Sequence, residues 1–279
     1  MYSYAYYNGQ LGTKDSIKIP LTDRSIYFGD AIYDAAIGTF DRILWEDEHI
    51  ERFLSNAARI GICHKYTKSF LSSLLREIAI KSMIENYFIY FQMSRNSIDR
   101  THSAIGSSTN LLITVTPYKI EENQPPLKLI TEKDIRYELC DIKTTNLLPA
   151  VLASTKAEKE GFDEAVFIKN GIVTECAKSN ISIIKQGRLI THPKNNHILP
   201  GITREHLLMV CKRFYIPVEE HPFSKEEMLS ADEILVSGTS KLCRTVKLID
   251  DTSVGGKSKE LAYLLCRSLY AEYADFCLK

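Results

Sequence analysis

The chain of 279 residues carries 35 lysines and arginines against 35 aspartates and glutamates, with 44% hydrophobic residues, 13 glycines and 9 prolines. That composition excludes a disordered, collagen-like or coiled-coil chain and leaves room for about two domains with cores of their own. Zero net charge argues against nucleic-acid and polybasic membrane-surface partners, both of which draw on surplus cations.

The first residues, Met1-Tyr2-Ser3-Tyr4-Ala5-Tyr6-Tyr7, have neither a basic nor an apolar leader, and no run reaches the roughly 18 apolar residues of a membrane span. Seven scattered cysteines without a CxxC read as reduced thiols, so a cytoplasmic location is expected. Asp47 is placed to cap a helix whose core face is Ile50, Phe53, Leu54 and Ala57, with Gly61 as its stop. Leu71, Leu74, Leu75 and Ile78 repeat that spacing, and Tyr87 to Met93 and Leu111 to Val115 read as strands. The stretch from Pro117 to Pro126 reads as a linker. The division expected is an N-terminal α+β domain over 1–117, a linker over 118–126 and a second domain over 127–279.

Beyond the linker, hairpin signals dominate. Ala165 to Ile168 and Ile172 to Thr174 flank Asn170-Gly171, and Ile181 to Lys185 and Arg188 to Thr191 flank Gln186-Gly187. Helices are expected from Pro149 to Glu160, from Thr203 with a stripe of Leu207, Val210, Cys211 and Phe214, and after the capping box Ser224-x-x-Glu227. A closing helix carries Leu261, Leu264, Leu265 and Ser268. The overall class is α+β.

Spacing alone names no chemistry. Gly255-Gly256-Lys257-Ser258 mimics the tail of a phosphate loop, but Asp251 stands where its first glycine belongs, so a surface turn before a helix is expected. GxSxG, HExxH and paired CxxC are absent, and the seven histidines show no metal-like spacing. No metal site is expected.

Several segments taken together resemble a known family. They are Asp23-Arg24-Ser25-Ile26-Tyr27-Phe28-Gly29-Asp30 running on to Tyr33, His49-Ile50-Glu51-Arg52, and Arg100-Thr101-His102. The second half adds Cys140-Asp141-Ile142-Lys143-Thr144-Thr145-Asn146-Leu147-Leu148, Val173-Thr174-Glu175, Ser179-Asn180 and Leu199-Pro200-Gly201-Ile202-Thr203-Arg204. Their order is similar to that in the fold-type IV pyridoxal-phosphate enzymes, which include branched-chain aminotransferases, D-amino acid aminotransferases and aminodeoxychorismate lyases. Arg100-x-His102 and the run from Asp134-Ile135-Arg136 to Lys143 lean toward the D-amino acid aminotransferase branch. The resemblance implies a small N-terminal α/β sandwich and a C-terminal pseudo-barrel with pyridoxal 5'-phosphate in the cleft between them. It also implies a homodimer acting on small amino and 2-oxo acids.

The same resemblance assigns roles. Lys143 matches the lysine that carries the cofactor as a Schiff base, a task only a primary amine can perform. Glu175 matches the carboxylate at the pyridine nitrogen. Arg52 matches a phosphate ligand, although periodicity alone puts it on a solvated helix face. Ile202 and Thr203, at a helix start, and Thr239 and Ser240, after the strand Glu233 to Val236, match the rest of the phosphate cradle. Leu199 matches a residue packed on the cofactor ring. Tyr33, Arg100 and His102 match the trap for the substrate α-carboxylate.

Departures from the family pattern are Asp34 for a glutamate, Cys176 for a residue nearer the lyase branch, and Lys178 and Lys241 for small hydroxylated residues. The two lysines are expected to add positive charge near the phosphate or near an acidic substrate, and so to favour dicarboxylates such as glutamate and 2-oxoglutarate. The reading is transamination of a D-amino acid, D-alanine or D-glutamate for example, with 2-oxoglutarate or pyruvate as acceptor. Its alternatives are the lyase, the branched-chain L-aminotransferase and a non-catalytic cofactor-binding relative.

Overall fold

A computed structural model describes residues 3–96, 99–106 and 108–278 and divides the chain into two units. The first runs to Ile120 and also includes Ile142–Asn146; the second comprises Glu121–Asp141 and the chain from Leu147 onward.

The sheet of the first unit contains β1 (Tyr4–Tyr7), β2 (Gln10–Thr13), β3 (Ala31–Thr39), β4 (Arg42–Ile43), β5 (Asn86–Asn96) and β6 (Ser108–Pro117). Its order is β2-β1-β6-β5-β3-β4, antiparallel throughout. In β5 the alternation of Tyr87, Ile89, Phe91 and Met93 puts every second side chain into the core. Two helices cover that face, α2 (Glu46–Arg59) through Ile50, Phe53 and Ala57 and α3 (Lys68–Ser82) through Leu71, Leu75 and Ile78. Gly38 lets the ring of Tyr87 pass over β3, since a Cβ there would lie 2.2 Å from ring carbons. The short helix α1 (Arg24–Phe28) connects β2 to β3.

One cap differs from expectation. Trp45, in a left-handed conformation at φ 51° and without a side-chain cap, precedes α2, which places Asp47 inside the first turn beside Glu46 and Glu48. Three carboxylates there favour the positive end of the helix dipole without serving as its cap.

The second unit holds β7 (Leu127–Lys133), β8 (Glu164–Lys169), β9 (Ile172–Cys176), β10 (Asn180–Lys185), β11 (Arg188–Thr191), β12 (Val218–Glu220), β13 (Glu233–Gly238), β14 (Leu242–Ile249) and β15 (Thr252–Ser253). They form a mixed sheet ordered β12-β11-β10-β13-β14-β7-β8-β9, with β15 on β14. Both expected hairpins form. Asn170 and Gly171 have φ of 52° and 81°, Gln186 and Gly187 51° and 76°, the positive pair that a two-residue turn of this kind requires. Four helices follow in chain order: α4 (Leu148–Lys159), α5 (Ile202–Arg213), α6 (Lys225–Ser230) and α7 (Lys259–Leu278). The capping box at Ser224 and Glu227 forms in both directions.

Two helix faces are rotated or shortened relative to expectation. α5 buries Leu207, Val210 and Cys211 but ends at Arg213, so Phe214 falls on the cap and is exposed. α7 buries Ala262, Leu265, Leu269 and Tyr273, leaving Leu261, Leu264 and Ser268 only partly covered. Leucines on adjacent faces made both stripes compatible with the 3.6-residue period.

Among the described residues, no helix is long and apolar enough to cross a membrane, and no group of His, Cys, Asp and Glu side chains could hold a metal.

Candidate active site

In the first unit, Lys143 is fixed by backbone rather than by its side chain. The Tyr33 N–H donates to the Lys143 carbonyl at 2.9 Å, and Thr145 N–H donates to the Ala31 carbonyl at 3.1 Å. This continues β3 pairing through an isolated bridge between Ile32 and Thr144. Asn146 Nδ2 and the Thr145 hydroxyl both donate to the Gly29 carbonyl, at 2.9 and 3.0 Å. The Lys143 ammonium lies 4.4 Å over the ring of Tyr33, which stacks on Tyr90 at 5.2 Å. Lys143 and Tyr33 are therefore neighbours, Tyr33 on β3 and Lys143 on the short segment hydrogen-bonded to its edge.

Arg52 lies beside the same strand. Its Nε and a terminal nitrogen donate to the two oxygens of Asp34 at 2.8 and 2.9 Å, and Asp34 also accepts from His49 Nδ1 at 2.8 Å. Burial alone would raise the Asp34 carboxyl, but the Arg52 and His49 charges and hydrogen bonds outweigh it and hold it well below the usual carboxylate range. Burial pushes His49 down, and Arg52 and Lys143 add to that, against the opposing pull of Asp34. The outcome is a planar guanidinium locked by an anion behind it, 12% exposed rather than on a solvated face.

Arg100 and His102 belong to the described segment 99–106 and are themselves exposed. The Arg100 guanidinium lies 5.1 Å over the Phe28 ring, and the His102 ring lies 5.4 Å from it.

In the second unit, Glu175 sits near the end of β9, buried, with several donors. Oε2 accepts from Asn180 Nδ2 and from Leu199 N–H, each at 3.1 Å, and Oε1 accepts from the guanidinium of Arg136. Arg136 is in turn clamped by both oxygens of Asp134, at 3.0 and 2.8 Å, and stacks 4.6 Å over Phe167. Burial opposes the charge on Arg136, yet Asp134 and Glu175 raise its pKa further. Asn180 Nδ2 donates as well to the Leu199 carbonyl at 2.8 Å, tying the Leu199–Gly201 turn to the glutamate.

That turn leads into α5. Its N-cap is Gly201, which supplies no side-chain acceptor, and a Cβ there would lie 2.0 Å from Asn180 Oδ1. The Thr203 hydroxyl is buried and has no hydrogen-bond partner. First-turn N–H groups, which have no acceptor within their own helix, together with an orphaned hydroxyl make this helix start suited to an anion. Thr239 and Ser240 are half-buried in the turn between β13 and β14.

Residues 39–249 match the family model for amino-transferase class IV. The chain belongs to the class IV aminotransferases. The D-alanine aminotransferase of Staphylococcus epidermidis is 36% identical to it over 255 residues, 89% of this chain and 90% of that one. Among solved structures, the branched-chain aminotransferase of Thermoproteus uzoniensis with norvaline superposes with a TM-score of 0.87 at 22% identity, covering 98% of this chain and 96% of that one. The branched-chain amino acid aminotransferase of Escherichia coli gives a TM-score of 0.88 at 21% identity, covering 97% and 94%. These structural neighbours share the two-domain α+β fold of the aminotransferase.

The departures acquire places. Lys241 is buried and its ammonium is bonded to Glu164 Oε2, while Oε1 of that carboxylate accepts from Lys178 N–H and the Ser179 hydroxyl, both at 2.8 Å. Within the fold, the Lys241 charge is matched by Glu164. Cys176 is buried, and burial pushes its thiol well up, which removes it from nucleophilic use. Asp34, met first as a mere departure, is the anchor of Arg52. Sequence reasoning did not assign roles to His49, Arg136 or Asn180, although His49 stands three residues before Arg52 and therefore on the same helical side.

Proposed function

We propose that this aminotransferase moves an amino group from a D-amino acid, D-alanine or D-glutamate for example, to a 2-oxo acid such as 2-oxoglutarate or pyruvate, with pyridoxal 5'-phosphate as cofactor. The observation that carries the reading is the match to a D-alanine aminotransferase over about nine-tenths of both chains. The residues present fit the cofactor. The orphaned Thr203 hydroxyl and the side-chain-free cap at Gly201 suit a phosphate dianion, and Asp34 presents Arg52 as a planar fork for phosphate oxygens.

By the family match, Lys143, Arg52, Glu175, Leu199, Ile202, Thr203, Thr239 and Ser240 are the residues that would hold it. When bound, pyridoxal phosphate supplies the electron-withdrawing ring that acidifies the amino-acid Cα–H. Lys143 Nζ takes that proton and returns it, its backbone held beside Tyr33 by the hydrogen bond to the Tyr33 N–H. Glu175, fixed by Arg136, Asn180 and Leu199, presents an anion whose position cannot relax when the ring nitrogen carries charge. Tyr33, Arg100 and His102 bind the α-carboxylate and so choose which hydrogen on Cα faces the amine.

A homodimer accompanies this reading. Leu148, Val151 and Leu152 on α4 are 68%, 53% and 56% exposed, an apolar face that a second copy would cover. Light scattering is expected to give twice the chain mass.

The deciding assay mixes purified, cofactor-loaded protein with 2-oxoglutarate and either enantiomer of alanine. Pyruvate from D-alanine is expected. Pyruvate from L-alanine alone would overturn the stereochemical assignment and return the chain to the L-specific branch.

A further inference from the structure

Arg24 is a buried guanidinium, 4% exposed, on a helix of five residues. Taking such a charge out of water costs several kcal/mol unless it is paired and hydrogen-bonded. All three nitrogens are matched. Nε donates to Asp30 Oδ2 at 2.7 Å, and the terminal nitrogens donate to the carbonyls of Thr101 at 2.6 Å and His102 at 2.9 Å. The guanidinium carbon also lies 4.4 Å over the Phe28 ring. Phe28 thus takes Arg24, Arg100 and His102 around one ring.

The anchor behind Arg24 is firm. Asp23 caps α1 through Oδ1, which accepts from Ser25 N–H at 2.9 Å and the Ser25 hydroxyl at 2.7 Å. Its Oδ2 accepts from the Tyr7 and Ser94 hydroxyls and from Asn110 Nδ2, at 2.9, 2.8 and 2.9 Å. Asp30 is bonded on its other oxygen by Arg95. The partners of Arg24 on the far side, by contrast, are backbone carbonyls of an exposed segment, where it buries no apolar core. Its hydrogen bonds fix the path of residues 101 and 102 and hence the direction in which the neighbouring side chains leave the chain.

We infer that Arg24, held by Asp30, is a positioning residue for the substrate carboxylate: it clasps the Thr101 and His102 carbonyls so that Arg100 and His102 are presented in one orientation. This rests on the reading of Arg100 and His102 as carboxylate ligands. A planar fork suits the task because it spans two successive carbonyls and a carboxylate at once, which an ammonium cannot.

The test compares Arg24→Met, Arg24→Lys and Asp30→Asn with Arg100→Met and the parent chain. KM for D-alanine and the inhibition constant of propionate, a bare carboxylate, are measured on cofactor-loaded protein. Arg24→Met is expected to raise both by about tenfold to a hundredfold with kcat changed less than about threefold, since ångström-scale misplacement of a binding group costs that much. Arg24→Lys should fall between Arg24→Met and the parent. In cofactor-free protein, trypsin should cut after Arg100 at least about tenfold faster in Arg24→Met, because a released segment reaches the protease more often. Unchanged KM and propionate binding in Arg24→Met, with both raised in Arg100→Met, would overturn the clasp and leave the carboxylate ligands standing. If Arg100→Met is also unchanged, the ligand reading falls and takes the clasp with it. Should Arg24→Met fail to fold, Arg24→Lys and Asp30→Asn decide by the same measurements, and an unchanged KM in both overturns the inference.

Discussion

Replacing Lys241 with serine asks whether this cation belongs to the fold or to a substrate. Its side chain is 10% exposed and that of Glu164 0%, and the two are directly bonded. Removing the lysine leaves Glu164 buried with the Lys178 N–H and the Ser179 hydroxyl on Oε1 and no ammonium on Oε2. Breaking a buried pair from one side costs about 3–5 kcal/mol. Two surviving donors, and water admitted where the lysine stem had been, place this case at the low end, about 3 kcal/mol. Urea unfolding of the cofactor-free chain, followed by fluorescence and circular dichroism together, reads the loss without ligand linkage. Glu164→Gln and the double variant close a cycle, in which a coupling of about 2 kcal/mol is expected. The ratio of kcat/KM for D-glutamate over D-alanine should stay within about twofold in Lys241→Ser. A stability loss below about 1 kcal/mol, the size of an exposed pair, together with a fall in that ratio would refute the structural account and give Lys241 back to the substrate.

Arg52→Met should raise the dissociation constant of pyridoxal phosphate about tenfold to a hundredfold, the value of one or two charge-assisted bonds, measured by absorbance titration. Acid should destabilise the cofactor-free chain from about pH 6.5 downward. The folded pKa of His49 lies below its ordinary 6.5, so the unfolded chain binds that proton first. His192 is lowered too and acts with the same sign, and Asp34, also depressed, adds its loss below about pH 4. Melting temperatures from pH 8 to 5 should therefore fall less steeply in His49→Gln than in the parent chain. Gly201→Ala forces a Cβ to within 2.0 Å of Asn180 Oδ1 and should cost about 1–3 kcal/mol while weakening cofactor binding, read by thermal melts with and without cofactor.

The hairpins were legible because Asn-Gly and Gln-Gly tolerate positive φ where few other pairs do, and the strand-to-strand geometry follows from that local fact. The core faces of α2 and α3 were legible from period alone. α7 was ambiguous because apolar residues flank its true stripe on either side. The lysine proposed to carry the cofactor, by contrast, has no signature in period or charge; only its place in an ordered set of family segments marked Lys143. The pairing of Asp34 with Arg52 joins a strand to a helix 18 residues away, and the grip of Arg24 on Thr101 spans 77 residues. In the second case the acceptor is a carbonyl, which every residue possesses, so no residue type at 101 could have announced it. The substitution of Cys176 has no structural explanation beyond its burial.

The five residues Ile142–Asn146 have a consequence for how this chain can be cut. The polypeptide leaves one unit for the other after Ile120, again after Asp141, and again after Asn146. Neither unit is a continuous stretch of sequence. A fragment ending at the apparent linker would retain Tyr33, Asp34, His49 and Arg52 yet lack the Lys143 amine, while the complementary fragment would carry Lys143 without the strand that fixes its backbone. Any exchange of halves between relatives, or any split version of the protein, must therefore transfer this short segment with the first half or part the lysine from the strand it is bonded to.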